Sequence, residues 1–403
     1  MEGALRVLTF TSLFPNSVDP SHAIFVYQRS SHLARRSGNE VIAVAPVPYF
    51  PSWIKKGRWR AESLIPDWEQ VGEIEVYHPR YLLLPKISMP LHALLMFSGC
   101  ARRVAALNKQ KKIDCIDAHF VYPDGMAAVL LGKVLDVPVT VSARGTDLTL
   151  YPSYRLIRPM IRWTLEHADG VIAVSSSLKE AIVALGTKGD RVRVVPNGID
   201  PSRFERVPRS EARAQLKLSV NESLLVSAGA LVPVKDHVLL IRAFARIAEV
   251  HPKLQLFILG EGPLRGELER LVRELRLGDR VHLVGKRPNE ELRLWFSAAE
   301  TSCLTSTREG WPNVVTESLA CGTPVVATRV GGIPEILDSP ELGVLVEQTA
   351  EGVASGIEEV LSRKWNHEEI SRRIRGRTWE NVATECEEVL VAAVRSHKSR
   401  PPH

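Results

Sequence analysis

Two glutamates beside a predicted helix are the residues of this chain whose types and spacing point most clearly to chemistry. Glu309 lies just before the helix and Glu317 lies inside it. A proline suits a first helical turn and a Gly-Thr-Pro segment ends a helix, so the sequence predicts a helix over 312–321. The amides of Asn313 and Val314 then have no partner within the helix, at the positive end of its dipole. The sequence therefore predicts an anion site flanked by two carboxylates.

A ligand with a diphosphate at its centre and a polyol at each end matches this arrangement. Helix amides bind phosphates, and each carboxylate accepts hydrogen bonds from one set of hydroxyls. A nucleotide sugar is a ligand of this kind. The alternative is a surface helix that carries two solvated glutamates, and the pattern alone leaves both interpretations open.

The residues around the two glutamates resemble the glutamate motif of the retaining glycosyltransferases of family four. Glu-Gly-Trp-Pro-Asn-Val-Val-Thr-Glu spans residues 309–317, and Ala-Cys-Gly-Thr-Pro-Val-Val-Ala-Thr follows at 320–328. The resemblance implies that Glu309 binds the hydroxyls of the donor sugar and that Glu317 binds the ribose of the nucleotide. It also implies that Gly310 lies in the donor site, beside the helix amides.

Composition indicates a globular protein of two domains. The chain has 403 residues, 45% of them hydrophobic, which is enough for two cores. Its five cysteines are scattered without close pairs, so we expect reduced thiols and no zinc site. Residues 1–200 hold 24 Lys and Arg against 18 Asp and Glu, whereas residues 201–403 hold 28 of each. The net charge of +6 therefore belongs to the first half, through which attraction to an anionic surface would act.

Short apolar runs alternate with helical patterns along both halves, which predicts an α/β fold with two doubly wound parallel sheets. The family resemblance implies the GT-B fold, in which two Rossmann-like domains face each other across a cleft. We expect an acceptor-side domain over 1–199, a nucleotide-sugar-binding domain over 200–376 and a final helix over 377–403 that crosses back to the first domain. The alternative for this helix is a plain last helix of the second domain. The predicted strands are 5–11, 41–45, 115–119, 138–142, 171–174 and 192–195 in the first half, and 224–227, 255–259, 281–284, 301–304, 324–327 and 344–346 in the second.

Three residues at the ends of strands in the first half resemble ligand-binding positions of the family. His119 matches the histidine that contacts the donor sugar, although a lone histidine is more often structural. Asp147 matches the aspartate of a His-Gly-x-Asp motif, whereas Arg144 stands where the family commonly has histidine. Arg144 is therefore predicted either to bind an acidic acceptor or a phosphate, or to pair with Asp147 as part of the structure.

The second half contains a segment that resembles the family's diphosphate loop. Lys235 matches the lysine that binds the diphosphate, but Ala230 stands where the family has arginine. Gly262 lies in a Gly-Glu-Gly segment where the backbone can approach a nucleotide closely, and Arg287 lies where relatives hold the base. Candidate substitutes for the missing arginine are Arg265, Lys286, Arg287 and Arg308.

Residues 49–60 interleave aromatic side chains with Lys and Arg, which predicts docking on an anionic membrane surface; the alternative is a solvated basic segment. An amphipathic run over 91–107 would extend that surface. The uncharged part of 87–101 is too short to span a bilayer, and an apolar start interrupted by Arg6 does not resemble a signal peptide. We therefore expect a cytoplasmic protein with peripheral contact at the inner face of the membrane, and no nucleic-acid partner.

The expected function is retaining transfer of a sugar from a nucleoside diphosphate sugar to a hydroxyl of a carbohydrate or lipid-linked acceptor. No Asp-x-Asp occurs in the sequence, so we expect no metal site and no cofactor, and a UDP-sugar is the favoured donor. One alternative is another GT-B enzyme, such as a sugar-nucleotide epimerase or a sugar-phosphate synthase. The other is a non-catalytic nucleotide-sugar-binding partner, which the missing arginine at Ala230 suggests.

Overall fold

The computed structural model describes residues 4–36, 38–49, 61–83 and 88–400, and the chain divides into two compact units. The first unit comprises Met1–Asn197 together with Trp379–His403, and the second comprises Gly198–Thr378. Each unit contains its own parallel sheet, which confirms the predicted α/β class. The basic segment predicted to dock on membranes, apart from Tyr49, lies outside the described residues.

The first unit is built around an eight-stranded sheet whose central strands are fully buried. Its strands are β1 (Arg6–Phe10), β2 (Glu40–Val44), β3 (Val47–Tyr49), β4 (Trp68–Val71), β5 (Ile74–Tyr77), β6 (Arg80–Leu82), β7 (Cys115–His119), β8 (Val139–Ala143), β9 (Gly170–Ala173) and β10 (Val192–Val194). The order in the large sheet is β10-β9-β8-β7-β1-β2-β5-β4, while β3 and β6 form a separate parallel pair. The run of buried apolar residues in β1, β7 and β8 is typical of parallel strands covered on both faces.

One edge of this sheet departs from the parallel scheme. Strand β4 pairs antiparallel with β5 through a tight turn at Gly72, whose φ of +58° suits glycine. The side chains of β4 alternate between exposed and half-buried, so no continuous apolar run marks it in the sequence. This hairpin was not predicted.

The connections of the first unit are helical, as the patterns of the sequence predict. The helix Met126–Leu135 follows β7 after a turn over Val121–Gly125, and the short helix Thr146–Thr149 follows β8. The helices of this part are α1 (Ile24–Ala34), α2 (His92–Gln110), α3 (Met126–Leu135), α4 (Thr146–Thr149), α5 (Arg158–His167) and α6 (Ser176–Ala184).

The second unit contains a six-stranded sheet in which every pair of neighbours is parallel. Its strands are β11 (Ser223–Ala228), β12 (Leu254–Leu259), β13 (Val281–Gly285), β14 (Thr301–Leu304), β15 (Val325–Thr328) and β16 (Gly343–Val346), in the order β13-β12-β11-β14-β15-β16. Because β11 pairs with both β12 and β14, the order of the strands reverses beside it. Ligands of doubly wound sheets bind at such a point, beyond the carboxyl ends of the strands.

Helices cover both faces of this second sheet. On one face, Leu240, Ile241 and Phe244 of the helix after β11 pack with Leu256 and Ile258 of β12. The helices are α7 (Arg209–Leu216), α8 (His237–Ile247), α9 (Arg265–Glu274), α10 (Asn289–Ala298), α11 (Asn313–Ala320), α12 (Ile333–Ile336), α13 (Ala350–Ser362) and α14 (His367–Arg375).

The last helix, α15 (Trp379–Lys398), packs within the first unit. Its residues Ala383 and Leu390 join the core formed with β1 and β2. Its Glu387 accepts hydrogen bonds from Arg36 (3.0 Å) and Asn39 (2.6 Å) at the end of α1. The sheet of the first unit is therefore covered partly by a helix from the opposite end of the chain.

Among the described residues, none of the helices combines the length and the hydrophobicity that crossing a bilayer requires.

Candidate active site

The loops after β11 and β14 are held together where the strand order of the second sheet reverses. The amide of Thr307 donates to the carbonyl oxygen of Val234 at 2.9 Å, and the hydroxyl of Thr305 donates to the carbonyl oxygen of Asp236, also at 2.9 Å. These contacts join the loop that carries Lys235 to the loop that carries Glu309.

Lys235 and Glu309 form an ion pair between these two loops. Lys235 Nζ donates to Glu309 Oε1 at 2.6 Å, with 19% and 11% of the two side chains exposed. The hydroxyl of the buried Ser306 donates to the same oxygen at 2.6 Å. Neither contact involves Glu309 Oε2. The pair is largely removed from water, so its charges interact more strongly than surface charges do.

A neighbouring loop fixes the backbone of Glu309. Gly331 has a φ of +54°, and a Cβ at this position would lie 1.9 Å from the carbonyl oxygen of Glu309. The amide of Gly332 donates to the carbonyl oxygen of Gly310 at 3.2 Å. Glycine at 331 is therefore required by the close approach of the two chains, and a side chain there would displace Glu309.

Helix α11 begins at Asn313, immediately after the Glu309 loop, and carries Glu317. Its first amides, at Asn313 and Val314, lie at the positive end of the helix. Burial raises the pKa of Glu317 to about 7, and the positive charge of Arg203 partly opposes this. The residue as a whole is half-buried.

The other donor-side residues predicted from the sequence lie on loops that follow β11, β12 and β13. Gly262 lies against the loop after β11, because a Cβ there would be 2.4 Å from the carbonyl oxygen of Leu231. Arg287 donates to the carbonyl oxygen of Val284 at 3.3 Å, within its own loop. Ala230 is exposed.

Arg265, a candidate substitute for the arginine that is missing at Ala230, already has partners. Its guanidinium donates to Glu261 (2.8 Å), Glu269 (2.9 Å) and the carbonyl oxygen of Leu283 (3.1 Å). Each of its three nitrogens therefore makes one hydrogen bond, and Arg265 stays a candidate. Arg308 is exposed, so it remains a candidate.

In the first unit, His119 is buried in a network of charged side chains. Its Nε2 donates to Asp117 Oδ2 at 3.2 Å, because Nδ1 accepts from Arg144 Nη2 at 2.5 Å. Arg29 donates to both carboxylate oxygens of Asp117, at 2.9 and 3.0 Å, and to Ser142 at 2.7 Å. Burial, followed by the charge of Arg144, lowers the pKa of His119 to about 3. His119 is therefore a neutral, fully buried residue with both ring nitrogens occupied.

Asp147 organises the backbone at the ends of β7 and β8. Its carboxylate accepts from the amides of Val121 (2.8 Å), Gly145 (2.7 Å) and Arg144 (3.2 Å). Asp147 contacts the main chain of Arg144 rather than its guanidinium. The ion pair between the two side chains, which was one of the two roles predicted for Arg144, therefore does not form.

Comparison with known proteins shows that two family models match this chain. The model described as Glycosyltransferase Family 4 matches residues 23–203, and the model described as Glycosyl transferases group 1 matches residues 208–377. The chain belongs to the family-four glycosyltransferases. The predicted family and the GT-B fold are thereby confirmed.

Individual relatives agree with this family. The putative teichuronic acid biosynthesis glycosyltransferase TuaC of Bacillus subtilis (strain 168) is 28% identical over 378 residues, which are 91% of this chain and 90% of that protein. Sucrose-phosphate synthase from Thermosynechococcus elongatus has a TM-score of 0.80 at 21% identity, covering 98% of this chain and all of the other. Anabaena HepE in complex with UDP and glucose has a TM-score of 0.73 at 18% identity, covering 96% and 99%. The two structural likenesses are likenesses of fold.

In this glycosyltransferase, the structure brings Lys235 into contact with Glu309, and Glu317 lies about one turn into the helix that follows. It brings His119 into contact with Arg144 and places Asp147 on the amides beside them. Arg287 and Gly262 contact their own and neighbouring loops. No described residues form a group of three or more His, Cys, Asp or Glu side chains that could hold a metal ion.

Three contributors to these sites were missed in the sequence. Ser306 holds Glu309 within one loop, a contact that the motif does not include, and Arg29 neutralises Asp117 across elements whose approach no local pattern reveals. Asp124 follows β7, is fully buried and accepts from the amide of Ser12 in the loop after β1. Its other oxygen has no hydrogen-bond partner. The signal available was an Asp at the carboxyl end of a predicted strand.

Asp124 makes the stability of the glycosyltransferase depend on pH. Burial raises the pKa of its carboxyl group to about 7, above the value near 4 of an unfolded chain. The folded state therefore binds more protons between these values, and stability falls as pH rises through that window. We expect roughly 2–3 kcal/mol of this loss between pH 5 and pH 8. Asp124→Asn keeps an acceptor for Ser12 and removes the ionisation.

Thermal melts of wild type and Asp124→Asn at pH 5 and pH 8 check this prediction. The variant should gain stability relative to wild type as pH rises, whereas Asp190→Asn on the exposed surface should not. A constant difference between wild type and Asp124→Asn at both pH values would show that the carboxyl group is already ionised at pH 5.

Proposed function

We propose that this glycosyltransferase is a retaining enzyme that moves a sugar from a nucleoside diphosphate sugar to a hydroxyl of a carbohydrate or lipid-linked acceptor in polysaccharide biosynthesis. The observation that carries the proposal is the contact of 2.6 Å between Lys235 and Glu309 where the strand order reverses. A cation for the departing diphosphate and a carboxylate for the sugar hydroxyls are adjacent there. A plain surface helix would not need this pair.

The diphosphate would bind to the positively charged and hydrogen-bond-donating groups on these loops. Lys235 and the first amides of α11 supply charge and hydrogen bonds before the glycosidic bond breaks, so they stabilise the leaving group without reorganisation. Glu317, whose pKa is raised to about 7, would gain hydrogen bonds from the two ribose hydroxyls. Glu309 Oε2 would accept from the sugar hydroxyls.

The same contacts support retention without a covalent sugar–enzyme intermediate. Glu309 Oε1 already accepts from Lys235 and from Ser306, and these two donors withdraw electron density from the carboxylate. Such a carboxylate is better suited to orient hydroxyls than to attack carbon. We propose that the acceptor attacks from the face that the diphosphate leaves, and that a departing phosphate oxygen takes the acceptor's proton.

Our proposal for the donor and the product rests on the chemistry of the site and on the similarity to known proteins. We propose a UDP-sugar as donor, with no metal or other cofactor, because Lys235 and the helix amides supply the positive charge that a metal ion otherwise provides. The complex of HepE with UDP and glucose supports this choice, and the similarity to TuaC, named for teichuronic acid biosynthesis, supports a polysaccharide product.

A second candidate function is a binding partner that holds a nucleotide sugar without transferring it. Ala230 favours it, because one of the two cations that the family places at the diphosphate is absent. Such a protein would bind the donor and never release glycosidic product.

Turnover with a UDP-sugar and a hydroxyl acceptor tests the proposed enzyme. Glu309→Gln should lower kcat by 100-fold or more, because the lost interactions belong to the sugar and the transition state, while nucleoside diphosphate still binds. The matched control is Glu274→Gln, a glutamate exposed on α9, which should turn over normally. Wild-type turnover by Glu309→Gln would remove Glu309 from the site.

Ala230→Arg tests whether the family's missing cation can be restored. Ala230 is exposed at the end of β11, so an arginine there has room and should tighten nucleoside diphosphate binding, by about 1.5–3 kcal/mol if it makes a charge-assisted hydrogen bond. Calorimetric titration beside Lys235→Ala measures both effects. Weaker binding by Ala230→Arg would mean that another cation, such as Arg308, already occupies this place.

We also propose that the first unit docks on anionic membrane. Large hydrophobic side chains next to the basic segment in the sequence are exposed: Tyr49 (53%) before it, and Leu64 (69%), Leu82 (48%) and Leu91 (54%) after it. Such a surface can insert into the lipid interface while Lys and Arg meet the headgroups. The segment from 50 to 60 itself lies outside the described residues.

Pelleting with anionic liposomes tests this docking. Replacing Lys55, Lys56, Arg58 and Arg60 by Ser should release the protein, and so should raising the salt concentration, because the attraction is screened over about 8 Å at physiological ionic strength. Leu91→Ser should weaken pelleting without changing its salt dependence. Pelleting that none of these changes affects would mean that this face does not meet the membrane.

A further inference from the structure

Arg144 is held at the carboxyl end of β8 in a fixed orientation. Its Nη2 donates to His119 at 2.5 Å, its Nη1 donates to Asn197 at 3.2 Å, and its guanidinium lies 5.4 Å from the centre of the Phe25 ring. Part of the side chain stays accessible to solvent. This is a positioned cation rather than a free surface arginine.

No carboxylate neutralises this guanidinium. Within the part of the chain that the structure describes, Arg144 has no Asp or Glu oxygen within 4.0 Å of its side-chain nitrogens. Asp117 is occupied by Arg29 and His119, and Asp147 accepts from backbone amides. The two nearest carboxylates are therefore already used, and the partners of Arg144 are neutral.

A second buried arginine, Arg29, lies close to Arg144 but is paired with Asp117. Arg29 is 1% exposed, and the Nε atoms of both Arg29 and Arg144 are buried without a hydrogen-bond partner. Burial, followed by the charge of Arg29, lowers the pKa of Arg144 to about 9. A buried charge and an unpaired donor both cost free energy, which a bound anion would offset.

We infer that Arg144 is a binding subsite for an oxyanion carried by a sugar, either a carboxylate or a phosphate monoester. Each terminal nitrogen of Arg144 uses one N–H on His119 or Asn197 and keeps another, so two parallel hydrogen bonds to one anion remain available. This subsite rests on the proposed function, because it selects among the sugars of that reaction.

The identity of residue 144 then determines specificity. A histidine at this position, as the family resemblance implies, would be mostly neutral at pH 7 and would select hydroxyl groups, whereas arginine is charged at that pH. The anionic sugar can be that of the donor or that of the acceptor, and both would present the same oxyanion to Arg144.

Two matched series of ligands distinguish these sources by calorimetric titration. The donor series compares UDP-glucose with UDP-glucuronic acid. The acceptor series compares methyl glucoside with methyl glucuronide and glucose 6-phosphate. We expect wild type to bind the anionic member at least 10-fold more tightly than the neutral member in one series, and that series identifies the source.

Variants assign the preference to Arg144. Arg144→Gln and Arg144→His at pH 8 should lower the ratio to about one, Arg144→Lys should retain part of it, and Arg155→Gln, an exposed arginine of the same unit, should leave it unchanged. Affinity for UDP alone should stay the same in all of them, and thermal melts like those of wild type show that the unit carrying the substitution is folded.

A ratio near one for wild type in both series would overturn the inference, and so would an equal ratio in wild type and Arg144→Gln. The acceptor series contains no nucleotide, so it tests the subsite even if UDP does not bind. Failure of wild type to bind UDP or any other nucleotide would instead contradict the proposed function.

Discussion

The ion pair between Lys235 and Glu309 is the interaction on which the candidate donor site depends. It forms because β11 and β14 are neighbours in the sheet although two strands and three α-helices lie between them in the chain, so the loops that follow these strands meet. Ser306 and Gly331 then fix the glutamate from two sides.

The first unit contains a buried cluster of charged side chains around His119. Arg29 and Arg144 lie close to two buried carboxylates: Asp117, which Arg29 binds, and Asp147, which accepts from backbone amides. Neutral His119 lies between Arg144 and Asp117. Because both ring nitrogens of His119 are occupied, its most direct effect in this structure is to orient Arg144. The direct contact with a donor sugar that the family resemblance implies for His119 stays a prediction, and it would require one of these hydrogen bonds to exchange.

Much of the fold could be predicted from the sequence because parallel strands buried on both faces form continuous apolar runs. Cys115–His119 and Thr301–Leu304 are strands with the bounds that the sequence predicts. The edge hairpin at Gly72 could not be found this way, because its side chains alternate and are partly exposed. For the site, the motif identified Lys235 and Glu309 but not their contact. Ser306, Arg29 and Asp124 contribute through contacts that only the folded chain creates.

A double-mutant cycle on nucleoside diphosphate binding tests the central claim most directly. The affinities of wild type, Lys235→Ala, Glu309→Gln and the double variant are measured by calorimetry, with Lys253→Ala as a control on the exposed surface. If Glu309 holds Lys235 in the free protein, Glu309→Gln should tighten binding when Lys235 is present and should gain about 10-fold less in the Lys235→Ala background, a coupling of about 1.4 kcal/mol. An equal effect of Glu309→Gln in both backgrounds would mean that the two residues act independently and that this pair is not the centre of the donor site.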